Sequence, residues 1–229
     1  MLKSLKEEVL EANLEVVRHG LVLYTFGNAS GIDRKRGLMV IKPSGVPYKA
    51  MKAADMVVLD LDGEVVEGKY KPSSDTPTHL VLYRAFEGIG GIVHTHSRAA
   101  TSWAQARREI PCFGTTHADS FCGPIPVTEP LSETAIAEAY EANTGHAIVD
   151  CFAARDPLET PACLVAGHAP FVWGASPAEA AHNAVILEEV AILALQALAL
   201  NSSCLPIQNC LRDKHFYRKH GASASYGQA

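Results

Sequence analysis

Gly91-Ile-Val-His-Thr-His96 opens with β-branched apolar residues and closes with two histidines two positions apart. The apolar start reads as a short buried strand, and the polar end as its exit into a loop. Side chains alternate along a strand, so residues i and i+2 share a face. Two imidazoles on one face can grip a single ion. Downstream, residues 98–108 resume a helical pattern. Upstream, Thr76-Pro-Thr-His-Leu-Val-Leu-Tyr-Arg84 reads as a helix entered through Pro77, a residue suited to the first helical turn.

The same reading extends to both ends of the chain. Residues 3–19 form an amphipathic pattern with Leu5, Val9, Ala12 and Val16 on one face, and Gly20 as its stop. Thr25-Phe-Gly-Asn-Ala-Ser-Gly31 and Lys42-Pro-Ser-Gly45 read as loops around a strand at 38–41. Residues 56–61 and 64–67 flank Asp62-Gly63, the signal of a hairpin with a type I′ turn. A helix is expected from Ser132 to a stop at Gly145, followed by strands at 146–152, 162–166 and 171–173. Ser176-Pro-Ala-Glu179 has capping-box spacing and opens the longest helix, to about Leu200. A polar helix over 212–220 ends at Gly221, and a tail of small residues carries one tyrosine, Tyr226. Interleaved helices and strands with hairpin signals predict an α/β protein with a mixed or antiparallel sheet covered by helices. No repeat or linker interrupts the pattern, so one domain over residues 1–229 is expected.

Composition narrows the function classes. The 229 residues are 48% hydrophobic and 20% charged, an ordinary globular balance. A formal charge of −5 offers no broad basic surface for nucleic acid or anionic membrane, although a local positive pocket for a small phosphorylated substrate is compatible with it. The longest apolar stretch, 190–200, is shorter than the roughly 20 residues a membrane span needs. Charged residues follow Met1 closely and no leader-like apolar run develops, so a cytoplasmic protein is expected. The six cysteines form no C-x-x-C motif and are expected to be reduced.

Two kinds of chemistry-bearing residue remain. His94 and His96 form the metal-like pair; His168, in Ala166-Gly-His-Ala-Pro170, and Asp75, in Ser73-Ser-Asp75, are further donors at loop-like positions. Three imidazoles and a carboxylate suit Zn²⁺ best, with Mn²⁺, Co²⁺ or Fe²⁺ as substitutes. Spacing alone leaves His79, His117 and His146 as competitors. Gly27-Asn28, Ser44-Gly45 and Ser73-Ser74 combine small residues with hydrogen-bond donors, and Lys42 and Lys71 stand beside the second and third. Such loops can cradle an anion, and they equally make plain turns. No Walker sequence or G-x-G-x-x-G supports nucleotide binding.

Taken together, Gly27-Asn-Ala-Ser-Gly31, Lys42-Pro-Ser-Gly45, Ser73-Ser-Asp-Thr-Pro-Thr-His79, His94-Thr-His-Ser97, Thr116-His-Ala-Asp119, Gly167-His168, the segment from Asp213 to Gly221 and Tyr226-Gly-Gln228 resemble the class II aldolase and adducin-type family over nearly the whole chain. The resemblance implies a three-layer α/β/α fold around a mixed, largely antiparallel sheet. It implies zinc on Asp75, His94, His96 and His168, and substrate binding by Gly27, Asn28, Ser44, Gly45, Ser73 and Ser74. It further implies proton transfer by Asp119 and Tyr226, delivered from the neighbouring subunit of a cyclic homotetramer. The Thr-His-Ala-Asp segment and the Tyr-Gly-Gln end are features of the family's epimerase branch. They imply inversion of a ketopentose phosphate at C4 by breaking and remaking the C3–C4 bond. The aldolase branch, acting on a ketose phosphate of the L-fuculose 1-phosphate type, commonly has Glu where Asp75 stands; the shorter Asp favours metal ligation. A non-catalytic module like the adducin head has no need of the metal donors that this chain retains.

Overall fold

Seven short strands pair into a single sheet with the order β4-β3-β2-β1-β5-β7-β6. They are β1 (Asn28–Asp33), β2 (Leu38–Ile41), β3 (Val57–Asp60), β4 (Val65–Glu67), β5 (Gly91–His94), β6 (Ala162–Leu164) and β7 (Pro170–Gly174). The structure, a computed structural model, describes residues 2–220 and Ala224. Every pairing between these strands is antiparallel; the parallel element is an isolated bridge from Val127 to Leu164. Of the mixed or antiparallel sheet expected from the sequence, the antiparallel form is the one adopted.

Helices cover both faces, as the three-layer expectation requires. They are α1 (Lys3–Arg18), α2 (Thr76–Ala85), α3 (Arg98–Gln105), α4 (Thr115–Ala118), α5 (Glu133–Cys151), α6 (Pro177–Leu200) and α7 (Asn209–His220). Strand alternation divides the core in two. Val93 and Val172 join Ala12, Val16, Trp103, Ala184 and Leu187 under α1, α3 and α6. Ile92, Phe171 and Trp173 face the other way, with Leu82, Tyr83 and Ile148 of α2 and α5. Trp103 and Trp173 are both buried and donate their indole N–H groups to the carbonyls of Ala191 and Pro157, at 3.1 and 2.7 Å, so neither polar atom is stranded.

α6 is 24 residues long, and its length and apolarity would also suit a membrane crossing. Counting only residues 190–200 understates it. Its buried stripe, Ala180, Ala181, Ala184, Leu187, Val190, Ala191 and Ala194, instead packs into the core under the sheet. Gly91 permits this approach: a Cβ there would lie 2.5 Å from the Pro177 backbone. Ser176 caps the helix by accepting the Glu179 N–H at 3.2 Å, as the capping-box spacing predicts.

Four local expectations need correction. Residues 28–31 are strand, not loop, because β1 pairs on both sides, with β2 and β5. The turn at Asp62-Gly63 is not type I′: only Gly63 has a positive φ (94°), and the Asp60 carboxylate organises the turn by accepting the N–H groups of Asp62 and Glu64. Residues 209–211 extend the last helix upstream of its expected start, while its expected stop at Gly221 lies outside the described residues. The largest change is at 146–152: residues 146–151 are helix and Phe152 caps it, with no strand there. Gly145 does not end α5; it lets α5 press against α2, where a Cβ would sit 2.7 Å from Val81 Cβ and 3.1 Å from the Thr78 carbonyl.

Gly145 thus sets two effects against each other. Helix propensity favours Gly145→Ala by about 1 kcal/mol, whereas overpacking typically costs about 1–3 kcal/mol. We expect the packing term to win, with Gly145→Ala melting a few degrees below the parent chain by calorimetry. A raised melting temperature would contradict the close-packing role.

Candidate metal and substrate site

The site is built on one row across the sheet: Asn28 pairs with His94, and His94 with Phe171. His94 ends β5 with the parity of Ile92, so it points to the α2/α5 side, where its ring stacks on Phe171 at 4.2 Å. Its Nδ1 donates to the Pro170 carbonyl at 2.9 Å, which leaves the Nε2 lone pair free to face outward. His96, just past the strand end, brings its Nε2 to 3.1 Å from His94 Nε2. His168 comes from the β6–β7 loop, its ring centroid 4.9 Å from those of both His94 and His96. One donor atom from each of these three imidazoles falls within a 4.8 Å cluster.

Asp75 sits at the N-cap of α2, and its carboxylate lies 3.9 Å from His94 Nε2. Asn28 holds it, donating at 2.6 Å to Asp75 Oδ2 and at 3.0 Å to Ser73 Oγ. Burial pushes the Asp75 carboxyl up, but the imidazoles of His94 and His79 and the Asn28 amide more than offset this and hold it below its ordinary value. Burial acts on the imidazoles in the opposite sense. It lowers His94 to about 3 and also lowers His96 and His168, so all three are neutral near pH 7, the form that ligates metal. Neutral imidazoles converging on a carboxylate fit a divalent ion of the zinc type.

Beside this cluster two loops lie back to back. Pro43 bridges to Pro72, Ser44 N–H donates to the Lys71 carbonyl at 2.9 Å, and Ser73 N–H donates to the Lys42 carbonyl at 3.0 Å. The pairing brings Ser44-Gly45 and Ser73-Ser74 to one cavity of about 640 Å³, which Gly27, Asn28, Asp75, His94, His96 and His168 also line. All ten expected metal and substrate residues therefore meet in one place. Lys42 joins them. Its ammonium donates to the Thr25 carbonyl at 3.1 Å, and burial lowers it to about 8 despite the Asp75 carboxylate. Phe26, Tyr140 and Glu141 complete the wall. Sequence reading overlooks Tyr140 and Glu141, because they lie within a helix whose interior turns toward the cavity for reasons that no local pattern reveals.

Asp119 is elsewhere. It follows the short α4 and lines a separate cavity with Lys219 and Glu188. His215 bonds its carboxylate at 2.9 Å, Arg218 donates at 3.1 Å and Lys219 lies at 3.3 Å. Burial opposes ionisation, but these three groups hold the carboxyl below its ordinary value. Tyr226 lies outside the described residues. The competing histidines separate cleanly. His79 is buried and bonded to Ser30 Oγ at 2.7 Å, His117 is buried and donates to the Gly123 carbonyl at 2.7 Å, and His146 is exposed on α5. All six cysteines are free.

Known proteins share this sequence and fold. Residues 7–195 match the model of the class II aldolase and adducin N-terminal domain. Over 227 residues, covering 99% of this chain and 100% of the relative, the sequence is 54% identical to the L-ribulose-5-phosphate 4-epimerase UlaF of Salmonella paratyphi B; the Salmonella typhi protein of that name matches equally. Among solved structures, an L-fuculose 1-phosphate aldolase superposes with a TM-score of 0.80 at 25% identity, over 95% of this chain and 96% of that one. YgbL of Klebsiella pneumoniae, described as a putative aldolase/epimerase/decarboxylase, gives 0.71 at 25% identity, over 93% and 99%. With its three-layer fold, its histidine cluster and a family match spanning most of its length, the chain belongs to the class II aldolase and adducin family.

Proposed function

We propose that this protein is a divalent-metal-dependent L-ribulose-5-phosphate 4-epimerase, cytoplasmic and assembled as a homotetramer, that produces D-xylulose 5-phosphate. One observation carries the reading. In a chain 54% identical end to end with enzymes of that name, three neutral imidazoles, a carboxylate, a lysine and serine-glycine loops converge on one cavity.

The chemistry explains that set. C4 of the substrate bears a hydroxyl, and its C–H is not adjacent to the C2 carbonyl, so direct deprotonation cannot invert it. C4 is, however, the β-hydroxy carbon of that ketone. Removing the hydroxyl proton lets the C3–C4 bonding pair move toward the carbonyl, leaving glycolaldehyde phosphate and the enediolate of dihydroxyacetone. Rotation of the aldehyde followed by re-addition gives the other C4 configuration. A divalent ion on Asp75, His94, His96 and His168 supplies a Lewis acid that lowers the energy of the developing charge; zinc is the best fit to these donors. Gly27, Asn28, Ser44, Gly45, Ser73 and Ser74, with Lys42, hold the phosphate and keep the small fragment from escaping during rotation.

The C4 oxygen ends on opposite faces before and after inversion, so two proton-transfer groups are needed. Asp119 and Tyr226 fill these roles. Because Asp119 lies in a cavity separate from the metal cluster of its own chain, the reading requires a neighbouring subunit to deliver it. The aldolase-like superposition favours one rival: an enzyme that releases its two fragments.

Supplying L-ribulose 5-phosphate should yield D-xylulose 5-phosphate with metal and none after chelation; accumulation of free glycolaldehyde phosphate would support the rival instead. Asp119→Asn should keep its metal and lose about 10²–10⁴-fold in turnover. Co-assembly with an inactive His96→Asn chain should then restore activity at mixed interfaces, and failure to complement would oppose the shared site. Lys42 gives a pH signature. Its charged form, which attracts phosphate, predominates below about 8 and is lost above it. Accordingly kcat/KM, which reports the free enzyme, should fall as pH rises through about 8. Lys42→Met should raise KM and abolish that limb; a limb that persists in the variant would assign it to another group.

A further inference from the structure

α5 is interrupted where it passes the metal cluster. Ala139 has φ −159° and ψ 68°, outside helical values, in the middle of a 19-residue helix. Such a break would normally leave carbonyls without their amide partners. Here side chains donate to carbonyls on both sides of the break. Asn143 Nδ2 donates to the Ala135 carbonyl at 2.8 Å, the acceptor that a helical Ala139 N–H would use. Thr144 Oγ1 donates to the Tyr140 carbonyl at 2.8 Å, and Thr78 Oγ1 of α2 donates to the Glu141 carbonyl at 2.6 Å. Three side-chain donors therefore hold the break in place, one of them from the neighbouring helix.

The break turns Tyr140 into the cavity. Its hydroxyl lies 3.3 Å from His168 Nδ1, with the ring centroids 6.0 Å apart. His94 has an equivalent support, the Pro170 carbonyl on its own Nδ1. His168 stands in a loop, and among the described residues Tyr140 is the hydrogen-bond partner of its ring. A ligating histidine whose second nitrogen is held keeps one tautomer and one ring orientation, and loss of such a partner typically costs 10–100-fold in metal affinity.

We infer that Tyr140, presented by the interruption of α5 at Ala139, is a positioning residue that orients His168 as a metal ligand. The inference rests on the reading of this cavity as a metal site. Accepting the Nδ1 proton at the phenolic oxygen directs the His168 Nε2 lone pair away from Tyr140. Asn143 and Thr78 act one step further back, by fixing the backbone that carries Tyr140.

The test uses the full-length chain, with Zn²⁺ affinity measured by competition against a colorimetric chelator. Tyr140→Phe keeps the ring and removes only the hydroxyl; it should weaken Zn²⁺ binding about tenfold or more. The visible spectrum of the Co²⁺-loaded protein should change as well, a readout that a merely structural ring would not move. Asn143→Ala, away from the donor atoms, should weaken binding in the same direction. Parental affinity together with an unchanged Co²⁺ spectrum in Tyr140→Phe would overturn the role of Tyr140. Unchanged affinity in Asn143→Ala would overturn the role of the break. A parent chain that binds no divalent ion would instead sink the metal reading itself, so the two failures are distinguishable.

Discussion

His94 carries a polar ring into a place with almost no solvent, between the central strands and the α2/α5 layer. A buried imidazole is tolerable only if it is neutral and hydrogen bonded. Both conditions are met: burial holds it neutral, Pro170 takes the Nδ1 proton, and Phe171 stacks on one face. The remaining nitrogen then has one outlet, toward His96, His168 and Asp75. Much of the site follows from this. Asn28, the neighbour of His94 in the sheet, ties Asp75 to the cluster, and Asp75 in turn starts the helix that carries His79 and supports α5.

Around that anchor the charges are graded. The imidazoles and Lys42 are pushed toward their neutral forms by burial, while Asp75 stays ionised. A set of neutral imidazoles with one carboxylate suits a divalent cation without overcompensating its charge, so an ion held there would keep electrophilic character. The paired loops at 42–45 and 71–75 add donors of a different kind, suited to a phosphate. Asp119 contrasts with this group. It sits among His215, Arg218 and Lys219 and so depends on α7 rather than on the sheet. A carboxylate held by a separate helix, on a separate surface, is what the proposed inter-subunit site requires.

Several elements can be read locally because local forces set them. The apolar start of β5, the Pro77 entry and the Ser176 cap come from strand patterning, proline geometry and capping, all interactions within a few residues. The misread elements share a different cause. Residues 28–31 carry small polar side chains that look like a turn, yet they are strand because partners on both sides take their backbone groups. Gly145 looks like a stop, yet it is a contact with Val81, and a one-dimensional pattern does not distinguish a glycine that ends a helix from one that lets two helices touch. Tyr140 has no signal at all, because its direction depends on a break stabilised in part from α2.

The sequence by itself determined the donor chemistry and the layered α/β class, while the family resemblance only implied that Asp75 and His168 join the His94/His96 pair. Residue type and short-range spacing suffice for the first two. Only the tertiary structure decided which histidines converge and which, like His117 and His146, stay apart. It also decided that Lys42, Tyr140 and Glu141 join the cavity and that Asp119 does not. The physical reason is common to all of these. The site lies where strand ends, a paired loop and an interrupted helix meet, and that meeting is set by cross-strand register and interlayer packing between residues far apart in the chain.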